Sequence, residues 1–311
     1  MGGPRALLLG ELPVAVRPQL EAAGLQCSTA TDWAEAVELR GFQVLVTASH
    51  IVVTEGELTR MPELRVIGRA AAGTDNVDLE AVEQRGVHFV HAPEANSQSA
   101  SELTMTLLFA VARRLAFHHD ALTGGHWSRN EELGCELAGR RLGVIGIGRV
   151  GSRVVRMAGA IPMTVSAYDP YLEDDRFEAL DCRRARSLDE LLAASDVLTV
   201  HCPLTPGTRR MLEFDQLALL PKGAIVLNVA RGGLLDEAAL ARLIASGHLA
   251  GAGIDCWEIE PPLPDNPLLA LPAGRLTATP HLGARTVQAR ERVAIEAVEG
   301  ILAACRAAGI L

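Results

Sequence analysis

Short apolar runs alternate with amphipathic stretches from the start of the chain: "ALLL" (6–9) precedes 17–24, "VLV" (44–46) precedes 55–60, "LRVIG" (64–68) precedes 78–85, and "VHFV" (87–90) follows. Brief, fully apolar runs separated by helix-period segments predict parallel strands covered on both faces, so a first α/β unit ends near Pro93. The next segment, "NSQSASELTMTLLFAVARRLAFHHDAL" (96–122), predicts one long helix, with Ser99 and Glu102 at the spacing of a capping box. Its apolar residues between 103 and 112 cover almost every face, which implies burial all round, in a domain junction or against a second subunit.

A second alternating series runs through "RLGVIGIGRVG" (141–151), "TVSAYDP" (164–170), "SDVLTVHCP" (195–203), "GAIVLNVARGG" (223–233), "LAGAGIDCW" (249–257) and "RLTATPHLGA" (275–284). Six such strands, with helical segments at 187–194 and 236–247 among them, predict a doubly wound parallel sheet. The last segment, 286–306, sets Val293, Ala294, Ala297, Val298, Ile301 and Leu302 at helical spacing. If that helix returns to the first unit, the chain is an α/β protein in which a dinucleotide-type domain (95–285) is inserted in a smaller α/β domain (1–94 plus 286–311).

Composition narrows the function. At 311 residues and 49% apolar content the chain can bury a substantial core, and the apolar stretch around Met105–Ala112 stops at Arg113 and Arg114, short of the ~18 residues of a membrane span. The N-terminus reads as a first strand and not as a secretory signal, so a cytoplasmic protein is expected. Net charge is −9 and the longest basic run is "CRRAR" (182–186), read as a solvated face, so nucleic acid is not an expected partner. Six scattered cysteines without C-x-x-C spacing predict reduced, packed thiols, with no disulfide frame and no zinc site.

The chemistry sits at strand ends. Gly146, Gly148 and Gly151 form G-x-G-x-x-G between a predicted strand and a predicted helix, where glycine lets backbone and helix N-terminus approach a pyrophosphate. An ordinary tight turn is the alternative. Asp169 ends the second strand of this series, 18 residues after Gly151; it can accept from ribose hydroxyls and repel a 2′-phosphate, favouring NAD over NADP, or it can cap a turn before Pro170. Arg231, Glu260 and His281 follow three later strands, and the carboxyl ends of such strands line the ligand crevice. Pro261 and Pro262 restrict Glu260 to an extended pose. Glu258 is expected at the surface.

Taken together, "GIGRVG", "NVARGG", "GIDCWEIEPP" and "PHLGA" resemble the D-isomer-specific 2-hydroxyacid dehydrogenases. "LRVIGRAAAGTDNVDLEA", "NSQSASELT" and "GGHW" are most similar to the D-3-phosphoglycerate dehydrogenase branch. The resemblance implies a Rossmann-type NAD domain inserted in a flavodoxin-like substrate domain, a small 2-hydroxy or 2-oxo acid substrate, and a homodimer formed through the Rossmann domain and the 97–118 helix. It implies that Arg231, Glu260 and His281 are the catalytic set. Those residue types suit the reduction of an oxo group. Histidine titrates near neutrality and can give a proton to a developing alkoxide, glutamate can charge and orient it, and the arginine fork can grip a carboxylate.

The resemblance also implies that Ala72 and Gly73 cradle the substrate carboxylate, so that catalysis closes a cleft. By the same resemblance Arg149 and Val150 follow the glycine turn toward the pyrophosphate, Cys202 and Pro203 pass the adenosine, Val229 and Ala230 line the nicotinamide approach, and Asp255 stands beside the carboxamide. In the phosphoglycerate branch an arginine commonly follows the strand read as "VLV", where this chain has Thr47, Ala48 and Ser49; only Arg69 matches a basic position there. One phosphate contact is therefore missing, which leaves hydroxypyruvate or glyoxylate beside 3-phosphoglycerate as the substrate. The chain ends at Leu311, so appended serine-sensing domains are not expected. An NAD-sensing binding protein like the C-terminal binding protein corepressors is the alternative of another class, whereas formate dehydrogenases carry glutamine in place of Glu260.

Overall fold

The computed structural model describes residues 3–311, which form two α/β units, Met1–Asn96 with Ala284–Leu311 and Ser97–Gly283. In the first unit β1 (Arg5–Leu9), β2 (Gln26–Ala30), β3 (Val44–Thr47), β4 (Val66–Arg69) and β5 (His88–His91) form one parallel sheet in the order β2-β1-β3-β4-β5. That order is flavodoxin-like. Helices α1 (Val16–Ala22) and α11 (Val287–Ala307) cover one face, while α2 (Glu55–Thr59) and α3 (Leu79–Gln84) cover the other. The strand β2, absent from the sequence reading, is an edge strand with polar, mostly exposed residues, so it lacks the apolar run by which its neighbours are recognised.

In the second unit the sheet order is β12-β11-β10-β9-β6-β7-β8, all parallel. Its strands are β6 (Arg141–Ile145), β7 (Thr164–Tyr168), β8 (Arg183–Arg184), β9 (Val197–Val200), β10 (Ile225–Asn228), β11 (Gly251–Ile254) and β12 (Leu276–Ala278). This is a Rossmann-type doubly wound sheet whose direction of progression reverses between β6 and β9. One apolar core packs α8 (Leu188–Ala193), α9 (Phe214–Ala218) and α10 (Glu237–Ala245) on one face. The other face is covered by α4 (Ser97–Ala112), α6 (Arg149–Ala160) and α7 (Asp174–Glu178). The basic run "CRRAR" supplies the edge strand β8, and its arginines pair with Asp174 and Glu190.

The predicted long helix is two helices. Arg114 takes a left-handed conformation (φ 53°) between α4 and α5 (Leu115–Thr123), and its buried guanidinium donates to the carbonyls of Ala250 (3.0 Å) and Gly274 (2.9 Å). Those two tertiary bonds turn the chain where local propensity would have continued the helix. Helix α4 begins at Ser97, so Ser99 lies inside it and does not form the expected capping box. Burial is also incomplete, since Glu102, Thr106, Phe109 and Arg113 form an exposed stripe along α4.

Close approach of α11 to β4 depends on Gly68, because a Cβ there would overlap the side chain of Ile301. Gly68→Ala is expected to cost about 1–3 kcal/mol of unfolding free energy through overpacking. In urea titrations the Gly68→Ala/Ile301→Ala double variant should be more stable than the sum of the single losses predicts, because each change relieves the other.

Candidate functional site

The carboxyl ends of the second sheet carry the residues singled out in the sequence. Beyond β6, Gly146 has φ +83°, and a Cβ there would stand 3.0 Å from the carbonyl oxygen of His201. Gly151, in the first turn of α6, admits no Cβ because the Gly146 carbonyl oxygen occupies the place. Gly148 differs: a Cβ would meet nothing within 4 Å, so this glycine borders open space. Helix α6 starts there without a side-chain cap or an acidic residue in its first turn, and Arg149 and Val150 are its first residues. A helix N-terminus without an acidic residue, behind an open glycine turn, fits a dinucleotide pyrophosphate.

Asp169 follows β7 and reaches back to the same turn, where Oδ2 accepts from the Ile147 N–H (3.1 Å) and Oδ1 from the Tyr171 N–H (3.2 Å). It therefore stabilises the local turn before Tyr171, the second of the two sequence readings, and stands half-buried beside the glycine loop. Cys202 and Pro203 follow β9. Burial pushes the Cys202 thiol up to about 11, which suits a pocket wall and not a nucleophile. Val229 and Ala230 follow β10, and the Asn228 side chain braces the next turn by accepting from the Ala230 N–H (3.1 Å) and donating to the Arg231 carbonyl (2.8 Å).

The densest bonding surrounds Asp255 at the end of β11. It is fully buried, and its carboxylate accepts from Thr279 Oγ1 (2.6 Å), the Leu282 N–H (2.6 Å) and the Gly283 N–H (3.0 Å). Its carbonyl accepts from the His281 N–H (2.9 Å). These four bonds grip residues 279–283, within which His281 adopts a left-handed backbone (φ 53°). Holding that loop is a structural role additional to the cofactor contact implied for Asp255 by resemblance.

His281 Nδ1 lies 2.9 and 2.8 Å from the two carboxylate oxygens of Glu260, and the Trp257 N–H donates to the same carboxylate (3.1 Å). The Trp257 indole N–H anchors the loop by donating to the Thr279 carbonyl (3.0 Å). The adjoining Cys256 sulfur and the Glu260 carboxylate together push His281 from its ordinary 6.5 up to about 10, against the opposing effect of burial. Burial pushes Glu260 up, but the bonds from His281 and Trp257 and the charges of His281 and Arg231 outweigh it and leave the carboxyl below its usual range. Both shifts favour an imidazolium–carboxylate pair near pH 7, with Nδ1 engaged by Glu260. Glu258 is exposed, as expected.

Ala72 and Gly73 lie in the first unit, in the loop after β4. Their carbonyls accept from His91 Nδ1 (3.0 Å) and Arg69 Nε (2.7 Å), whereas their N–H groups find no acceptor among the described residues. Arg69 is almost wholly buried, and its guanidinium also donates to Thr47 Oγ1 (3.4 Å) and the carbonyls of Ile51 (3.1 Å) and Ser49, and to Asn76 Oδ1. The basic position that matched the phosphoglycerate branch thus ties two loops together. Sequence reasoning missed that role, along with the contacts of Cys256 and Trp257 to the histidine loop, because a motif names these residues without saying which loop each one touches.

A family profile described as D-isomer specific 2-hydroxyacid dehydrogenase, NAD binding domain, matches residues 105–283. Among curated proteins, D-3-phosphoglycerate dehydrogenase of Methanocaldococcus jannaschii is 40% identical over 278 residues, covering 89% of this chain and 52% of the relative. That of Bacillus subtilis is 36% identical over 298 residues, covering 93% and 56%. The chain spans about half the length of the curated relatives it matches. Among solved structures, a Thermus thermophilus protein shares 34% identity with a TM-score of 0.89, covering 97% of each chain. D-lactate dehydrogenase of Aquifex aeolicus, complexed with NAD and lactic acid, shares 29% identity with a TM-score of 0.87, covering 98% of this chain and 96% of that one. The chain belongs to the D-isomer specific 2-hydroxyacid dehydrogenases, and its second unit is the family's NAD-binding domain.

Proposed function

We propose that the protein is an NAD-dependent reductase of small 2-oxo acids, acting reversibly on the D-2-hydroxy acid. The observation that carries this reading is the His281–Glu260 pair, held charged at the carboxyl ends of an NAD-binding sheet. NAD, when bound, supplies or accepts the hydride. Gly146, Gly148, Arg149, Val150 and Gly151 would hold its pyrophosphate, Asp169 its ribose, Cys202 and Pro203 the adenosine side, and Val229 and Ala230 the nicotinamide side.

His281 Nε2 gives its proton to the 2-oxo oxygen as negative charge develops there, a contribution typically worth ~10²- to 10⁴-fold in rate. Glu260 keeps the imidazole charged and fixes which nitrogen faces the reactant. Asp255 holds the loop so that this nitrogen is presented. Arg231 grips the substrate carboxylate and polarises the oxo group, for which its planar fork is suited. The unused N–H groups of Ala72 and Gly73 are the proposed second hold on the carboxylate.

Substrate choice is divided. The names of the curated relatives favour 3-phosphoglycerate as leading substrate, whereas the internal bonding of Arg69 favours an unphosphorylated acid such as hydroxypyruvate or glyoxylate. A panel of phosphohydroxypyruvate, hydroxypyruvate, glyoxylate and pyruvate, run with NADH and with NADPH, separates these. Turnover of at least one acid, with NADH preferred, is expected. Intact NADH binding without turnover of any would favour the NAD-sensing binding protein.

The pH dependence has a defined sign. A histidine raised to about 10 remains a proton donor across neutrality, so the reduction rate should be level up to that region and fall above it. Glu260→Gln removes the carboxylate that helps to raise it, and the fall should move toward the ordinary histidine range with a lower plateau. Rate–pH profiles of the two proteins, measured as kcat/KM, check this. An unchanged profile would remove Glu260 from the proposed relay.

We further propose a cytoplasmic homodimer through the α4–α5 side of the second unit. Phe109, Leu115, Leu122, Trp127 and Leu133 are large apolar side chains left exposed there, at 45%, 59%, 58%, 74% and 85%. Exposed apolar groups gathered in one region mark association surfaces. Light scattering should give twice the chain mass for the wild type and the monomer mass for Trp127→Glu/Leu133→Glu. A wild-type monomer at micromolar concentration would refute the dimer.

A further inference from the structure

The absence of any C-x-x-C spacing argued against a zinc site, yet the ends of β11 and β12 bring a different donor set together. Cys256 follows β11, Glu260 lies four residues on, and His281 lies beyond β12; a thiol sulfur, a carboxylate oxygen and a ring nitrogen from these three lie within 4.8 Å of one another. Sulfur, nitrogen and oxygen in one cluster suit Zn²⁺ and its borderline-soft neighbours, whereas Mg²⁺ and Ca²⁺ prefer oxygen alone. With zinc bonds of about 2.0 to 2.3 Å in a tetrahedron, neighbouring ligand atoms stand about 3.3–3.8 Å apart. The sulfur must close in, while the His281–Glu260 edge, now 2.8 Å, must widen by about 0.5 Å to admit the ion. Cys256 is the buried corner, 1% exposed with its thiol directed at the Ala230 carbonyl (3.4 Å), while the side chains of His281 and Glu260 are 44% and 39% exposed and turn about their side-chain bonds on a fixed backbone. Their exposure also leaves a fourth position open to water.

We propose that Cys256, Glu260 and His281 form an inhibitory site for a zinc-class divalent cation. The ion enters where Glu260 and His281 now share a proton. On binding, the thiol and the imidazolium each release a proton to solvent, the sulfur and a ring nitrogen each bond to the metal through the freed electron pair, and no redox change takes place. The imidazole is then no longer available as a donor to substrate. Metal capture rests on the geometry alone; the inhibitory consequence rests on His281 being the proton donor proposed above.

Two readouts keep these apart. In the first, the full-length, reduced protein is titrated with Co²⁺ as a spectroscopic substitute for zinc. A thiolate-to-cobalt charge-transfer band is expected, and it should be lost in both Cys256→Ala and the near-isosteric Cys256→Ser, which retain the other five cysteines. In the second, NADH oxidation is measured against Zn²⁺, with Mg²⁺ as control and each rate normalised to the same protein without metal. Zn²⁺ should inhibit, EDTA should restore the rate, and both cysteine variants should need on the order of tenfold more Zn²⁺ for half-inhibition. Absence of a Cys256-dependent band overturns the site itself. A Cys256-dependent band with zinc-insensitive turnover overturns the inhibition and counts against His281 as the proton donor. Equal zinc sensitivity in wild type and both variants places the inhibition elsewhere and overturns the proposal.

Discussion

The arrangement at the reacting centre hangs on one buried carboxylate. Asp255 has no solvent to satisfy it, and its carboxylate takes a hydroxyl and two backbone N–H groups from the loop after β12. A charge removed from water is tolerated only when bonded in this way, and removing its partners would cost several kcal/mol. The same bonds confine His281 to a left-handed backbone that a non-glycine residue rarely adopts, and such strain persists only where the surroundings over-determine it. The position of the imidazole is therefore set by the end of the neighbouring strand. Parallel β11 and β12 deliver both partners at their carboxyl ends, which is why Glu260 and His281 meet although 21 residues separate them.

Electrostatics then act on a geometry already fixed. Glu260 does not bring His281 into place; it meets an imidazole on a loop that Asp255 holds and, together with Cys256, favours its charged form. The partial exposure of both side chains screens their attraction, so the pair is better understood as a protonation device than as a source of folding stability. The histidine's share of any stability is lost as pH rises from 6.5 to about 10, the direction expected when the folded value is raised, and the carboxylate's share is lost in acid, as expected when it is lowered.

Much of this was legible in the sequence because buried parallel strands leave continuous apolar runs, and glycines at fixed offsets mark a turn only a backbone can make. Elements without such runs were missed, as with the polar edge strand β2. The single helix predicted over 96–122 failed for a related reason: the bonds from Arg114 to Ala250 and Gly274 join residues more than a hundred positions apart, which no local pattern encodes. At the site, Arg231, Glu260 and His281 could be named from their places after strands. That Asp255 would also hold a loop could not, since an acidic residue after a strand looks the same whether it binds a ligand, the chain itself or both.

Arg69 makes the same point for specificity. As a letter in a motif it is a cation available to an anionic substrate. In the folded first unit it is a buried tie whose guanidinium donates to carbonyls on two loops, with its Nε on the carbonyl of Gly73. Gripping that carbonyl aligns the peptide and so influences where the neighbouring N–H groups point. A guanidinium spent on backbone in this manner orders the loop of Ala72 and Gly73 from within, so motif similarity at Arg69 is not by itself the sign of a phosphate contact.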